Sequence, residues 1–154
     1  MMQDTASLLS LHVPEIQPMR VSDVVKHWDA LKDEIIESID LSPEWDDTLQ
    51  TVLRDICAGN ALMHSIVVGV KRKGVFVTYV KERKDGMALH VWQIGGHEME
   101  AWLEPFLDYL KNWAKIWAAD LITFGGRKGW EKVLKKHGYE VEAVKMCYRL
   151  ADWE

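Results

Sequence analysis

The chain has 154 residues, with 19 Lys and Arg against 24 Asp and Glu, a formal net charge of −5 and a sequence pI near 5.7. This balance excludes a strongly basic nucleic-acid binder. Hydrophobic residues make up 48% and charged residues 28%, the composition of one folded domain, which at this length buries roughly 70% of its unfolded surface.

No run approaches the roughly 18 apolar residues of a membrane span, and MMQDTASLLSLHVPE has neither a basic segment nor a long apolar core. A soluble, intracellular protein without a signal peptide or membrane partner is expected. Cys57 and Cys147 show no CxxC spacing and no neighbouring histidines, so no metal site is indicated and both read as buried free thiols. Eight tryptophans are many for a domain this small, and they raise the question of partners.

Charge divides the domain into an acidic helical part, 1–60, with 4 basic and 12 acidic residues, and a remainder, 61–154, with 15 basic and 12 acidic. Lys111, Lys115, Arg127, Lys128, Lys132, Lys135 and Lys136 concentrate late in the chain. They read either as solvated helix faces or as a site for an anion or an acidic protein surface.

Ser22-Asp23 precedes a stretch in which Val24, Trp28, Leu31, Ile35 and Ile39 recur at helical spacing, predicting one capped helix. Ser42-Pro43 opens a second, with Trp45, Leu49, Val52, Leu53 and Ile56 on its buried face and Gly59 at its end. Strands are predicted at 62–70, 75–82 and 87–94, with KRKG as the first turn and Asp85-Gly86 as the second. A long helix follows from about Glu98 to Ala118, striped by Trp102, Phe106, Leu110, Trp113 and Trp117, with Pro105 in its first turns or at a kink. DLITF reads as a strand, RKGWEKVLKKH as a short helix closed by Gly138, and 139–150 as a last strand or tight pair. This order permits one parallel pair in an otherwise antiparallel sheet.

With those elements in place, LHVWQIGGHEMEAWL, GRKGWEKVLKKHGYE and VKMCYRL resemble the central strand and loop, the late helix and the closing strand of the GNAT superfamily of acyl-CoA-dependent N-acyltransferases. The resemblance spans nearly the whole chain and implies an α/β fold with a mixed, mostly antiparallel central sheet and helices on both faces. VWQIGG, the Trp-rich helix, GGRKGW and KKHGY look closest to small GNAT-like proteins encoded by tailed bacteriophages. By that resemblance, Ile94, Gly95, Gly96, His97 and Glu98 supply the backbone that binds the pyrophosphate of acetyl-CoA.

Two positions depart from the family pattern. Glu98 stands where the loop's last small residue belongs, and Leu134 where a late tyrosine would protonate the leaving thiolate. Tyr148, His137 and Cys147 are the candidate substitutes for the acid, each with a structural alternative. Glu82 is a candidate base, weighed against a solvated edge charge. His90 and His97 flank the loop as further bases, but the parity of His90 with Trp92 and Ile94 favours a packed core histidine. The paired glycines of IGG and FGG suggest close backbone approach. Trp45, Trp130 and Trp153 lie off the helical stripe and are the candidates for an interface.

The favoured reading is a phage GNAT-like protein with degenerate catalytic motifs, associated with the virion or its assembly and acting through contacts with other virion proteins or with itself. It would be found in the host cytoplasm and in particles. The alternatives are an active acetyl-CoA-dependent N-acetyltransferase acting on a primary amine, and a regulatory domain that binds coenzyme without turnover.

Overall fold

A computed structural model describes residues 13–41, 49–125 and 128–141. The elements are β1 (Pro14–Pro18), α1 (Val21–Lys26), α2 (Trp28–Leu41), α3 (Leu49–Cys57), β2 (Leu62–Val68), β3 (Lys71–Arg83), β4 (Gly86–Gly96), a 3-10 turn (Met99–Ala101), α4 (Leu103–Ile116), β5 (Leu121–Phe124) and α5 (Lys128–Lys135). The strands form one sheet in the order β1-β2-β3-β4-β5, antiparallel throughout except between β4 and β5. The mixed, mostly antiparallel sheet expected from the element order is thus the observed one.

Strand alternation sends side chains to two cores, one on each face. On one face Ile66, Phe76, Leu89, Val91 and Ile94 pack with Trp102, Phe106 and Leu110 of the α4 region and with Trp130 and Leu134 of α5. On the other, Met63, Val75, Val77 and Trp92 meet Val24, Leu31 and Ile35 of α1 and α2 and Val52 and Ile56 of α3. No helix among the described residues is long and apolar enough to cross a membrane.

Several expectations need correction. A strand, β1, precedes the helices and pairs with β2 from Pro14↔Val68 to Pro18↔His64. The first helix is two helices, separated at His27; it begins at Val21, and no side chain caps it. No proline or glycine marks that break. The proposed Ser42-Pro43 cap and Trp45 lie outside the described residues, as do the strand or tight pair after Val141 and Cys147, Tyr148 and Trp153.

KRKG is not a turn but the start of β3; the turn is Gly69-Val70, with Gly69 at φ +68, a glycine in the first position of a two-residue hairpin loop. The long helix starts as a 3-10 turn, and Pro105 sits in the first turn of α4, where its missing N–H leaves no acceptor unpaired. Cys57 is exposed rather than buried. It follows Ile56, which α3 directs into the core, and one residue further is about 100° around the helix.

β4 and β5 are fastened at their starts. The Asp120 N–H donates to the Met87 carbonyl at 2.7 Å, and Asp120 Oδ2 accepts the Met87 N–H at 3.0 Å. Asp120→Ala is expected to cost about 1 kcal/mol and to speed amide exchange at Leu121–Phe124, while β2 and β3 keep their protection. Unchanged exchange in β5 would show that this link does not hold the strand.

Candidate functional site

The parallel pairing that begins at Ala88↔Leu121 ends at Val91↔Phe124, and its last bond runs from the Gly125 N–H to the Val91 carbonyl at 3.0 Å. β4 nevertheless continues to Gly96, paired with β3. A bulge follows directly. Val77 opposes Gln93 and Thr78 opposes Val91, so Trp92 is the extra residue, and a bulge bends its strand and increases the twist. Among the described residues β4 thus runs on past the end of β5, at the carboxyl ends of this parallel pair, the end of an α/β sheet at which ligands bind.

The same bulge revises the parity argument for the strand. Trp92 joins the core beneath α2, whereas Ile94 joins the opposite core with Leu89 and Val91. His90 is a buried histidine, with Nδ1 2.8 Å from the Thr123 hydroxyl and its ring 5.0 Å from that of Tyr79. It lies within the paired part of β4, tying it to β5.

The five residues of the loop have separate surroundings. Ile94 is buried. Gly95 lies against the backbone of α2, and a Cβ there would overlap the Glu34 carbonyl; at Gly96 a Cβ would overlap the backbone of Lys73 and Gly74. The close approach expected of these glycines is real, and protein fills both places. His97 is exposed; its N–H donates to the Lys73 carbonyl at 3.0 Å, and its own carbonyl accepts the Trp102 indole N–H at 3.0 Å. Glu98 adopts φ +56, ψ +44 and pairs with Lys73, Oε2 to Nζ at 2.7 Å. The hydrogen bond and charge of Lys73 hold its carboxyl below the usual glutamate range, with smaller help from His97 and Lys71.

Beyond Glu98 the chain turns into the 3-10 element. Among the described residues no backbone carbonyl accepts the N–H groups of Glu98, Met99 or Glu100. Such N–H groups, with Lys71, Lys73 and His97 nearby, favour negative charge. Glu98, Glu100 and Glu104 already supply some at the head of α4.

The other candidates are not gathered here. Glu82 is exposed beside the Asp85 hairpin, opposite Met87. At about 3.3 Å per residue it stands roughly 26 Å along β3 from Gly74, which pairs with Gly96. His137 is exposed and lines a shallow cleft of about 180 Å³ with Asp108, Lys111 and Tyr139. Leu134 is buried among Phe106 and Trp130. Trp130 is likewise core rather than interface: its ring lies 5.9 Å from that of Phe124 and 6.2 Å from that of Phe106. No cluster of three metal-ligating side chains occurs among the described residues.

Lys73, missed by the sequence reading, belongs to the KRK run assigned to a turn; that run of cations was its only local signal. His64 was missed as well. It is fully buried, with Nδ1 2.9 Å from the Tyr109 hydroxyl, Nε2 2.9 Å from Thr78 Oγ1, and its ring stacked on Phe76 at 4.5 Å. Both partners are hydroxyls, able to donate or accept, so a neutral imidazole that donates from one ring nitrogen and accepts at the other is satisfied here.

No protein-family model and no curated relative matches the sequence. Solved structures do. A predicted acetyltransferase with acetyl-CoA from Clostridium acetobutylicum matches 91% of this chain and 98% of its own, at TM-score 0.65 and 13% identity. A ribosomal-protein-alanine N-acetyltransferase from Brucella melitensis biovar Abortus matches 90% of this chain and 100% of its own, at TM-score 0.65 and 13% identity. For a GNAT family acetyltransferase from Staphylococcus aureus the coverage is 89% and 98%, the TM-score 0.61 and the identity 12%. With its mixed sheet, its one parallel pair of β4 with β5 and helices on both faces, the chain has the fold of the GNAT acetyltransferases.

Proposed function

We propose that the chain is a GNAT-fold protein that keeps the coenzyme cleft between β4 and β5 but lacks the family's proton donor. It acts through protein contacts, as a virion-associated or assembly-related protein of the tailed-phage type that its motifs resemble. The observation that carries the loss of chemistry is Leu134. By the motif resemblance it stands where the family has its tyrosine, and it is packed into the core. The exposed Trp117 and Ile116 at the end of α4 are the kind of apolar surface that a contact surface uses.

The end of the β4–β5 pairing favours a second reading, an N-acetyltransferase on a primary amine. The bound acetyl-CoA of the Clostridium protein supports it. A neutral amine would attack the thioester directly: the N–C bond forms, the C–S bond breaks, the amine loses a proton to water and the thiolate takes one from water. Glu82 has no part in this route, being at the far end of β3.

The two readings separate in solution. Acetyl-CoA at 100 times its dissociation constant is expected to add about 2.7 kcal/mol, raising the melting temperature by roughly 5 to 10 °C, with no release of free coenzyme thiol when primary amines are added. Thiol release would establish the second reading. No shift at millimolar acetyl-CoA would remove the cleft from both. Mass spectrometry of purified phage particles should find the chain in stoichiometric amount, and its absence there would remove the virion assignment.

A further inference from the structure

The sheet keeps two unlike surfaces apart. The helices over one face, α1 to α3, carry seven acidic and three basic residues, and Asp23, Asp29 and Asp33 among them are exposed. α1 also turns Val21 and Val25, one helical turn apart, to solvent. Over the other face, α4 and α5 carry five basic and three acidic residues, and the acidic ones of α4, Glu104 and Asp108, lie in its first half. The second half of α4 and the residue after it present Lys111, Lys115, Ile116 and Trp117, all exposed. Each surface thus joins an apolar contact to charge of one prevailing sign, and the two signs are opposite.

We propose that each surface docks on the other surface of a second copy of this chain, so that copies stack head to tail. Charge complementarity selects this partner: a two-fold axis through either surface would set like charge against like, which is repulsive. Within one copy the two surfaces cannot meet, because the sheet and its two cores lie between them. A head-to-tail contact leaves one surface of each kind free at the ends, and the stack either closes into a ring or grows. That contacts are how the chain works rests on the function proposed above; the stacking itself does not.

Sedimentation of the full chain at rising concentration tests the stacking. Species beyond the dimer are expected. Raising the ionic strength from about 0.1 to about 1 M, which shortens screening from roughly 10 to roughly 3 Å, should weaken the association by about tenfold or more. Two double variants divide the contact: Val21→Ser with Val25→Ser blunts one surface, and Ile116→Ser with Trp117→Ser the other. All four side chains are exposed, so both folds are expected to be intact. Each variant alone should be monomeric, and an equimolar mixture should form a one-to-one dimer, since each keeps the surface that the other has lost. A wild-type chain that stays monomeric would overturn the stacking, and its recovery from phage particles would then keep the function proposed above with a different partner. Association that ends at a dimer, and that mixing the variants does not restore, would overturn the stacking in favour of a two-fold contact. Stacking by a chain that is absent from particles would sustain the contact and remove the virion assignment.

Discussion

Gly95→Ala is expected to destabilise the fold by about 3 kcal/mol or more. The added methyl group would meet the Glu34 carbonyl, with its carbon 2.7 Å from the Glu34 carbonyl carbon. This neighbour is helix backbone, which cannot rotate aside as the tip of a side chain can. Relief requires α2 to lift from β4, uncovering Leu31 and Ile35 together with Val75 and Trp92 beneath them. It also strains the bond from Arg72 Nε to Glu34 Oε1, 2.8 Å long. Gly138→Ala is the control: Gly138 has φ +89 and nothing within 4 Å of the added atom, so only the left-handed backbone is penalised, by about 1 to 2 kcal/mol. Urea denaturation of the two variants should separate them clearly; equal losses would mean that contact of α2 with β4 does not set the cost at Gly95.

Acid is expected to unfold the protein in part through His64. Burial lowers its pKa from 6.5 to about 3, and the hydroxyl it contacts, Tyr109, is pushed up to about 12 by burial, so both stay neutral near pH 7. Between pH 6.5 and 3 the unfolded chain binds a proton at this position that the folded chain does not. Stability from His64 is therefore complete above pH 6.5 and falls with pH by about 1.4 kcal/mol per unit, roughly 4 to 5 kcal/mol across the window. His64→Gln cannot take up that proton. It should be less stable than wild type at pH 7 by about 1 to 3 kcal/mol, since Thr78 and Tyr109 lose a fitted partner. The difference should shrink as pH falls from 6 to 4. Parallel pH profiles for the two proteins would show that His64 is protonated in the fold.

Much of the architecture is legible in the sequence because it is locally encoded. Alternation and β-branching mark β2 to β4, Asp85-Gly86 marks their second turn, and the spacing of Trp102, Phe106 and Leu110 marks α4. What escaped was set by contacts distant in sequence. Val70 disguised the real turn, since an exposed valine in a hairpin carries no turn signal, and three cations before a glycine imitated one. The bulge at Trp92 exists only in the pairing with β3, so counting parity along β4 assigned Ile94 to the wrong face. For the candidate site, the sequence singled out the loop Ile94–Glu98 and, in the late helix, Leu134. It gave no sign that Lys73, twenty-five residues earlier, is the partner of Glu98.

β1 was hidden by its prolines, and they have a consequence for the sheet as a whole. Among the described residues this strand forms one edge of the sheet, and an open edge invites pairing with a strand of another molecule. Pro14 and Pro18 bound it, and neither has an N–H to offer. An incoming strand would lack a donor at each end of a short ladder. The residues that conceal β1 from a propensity reading thus keep that edge from serving as a template for aggregation.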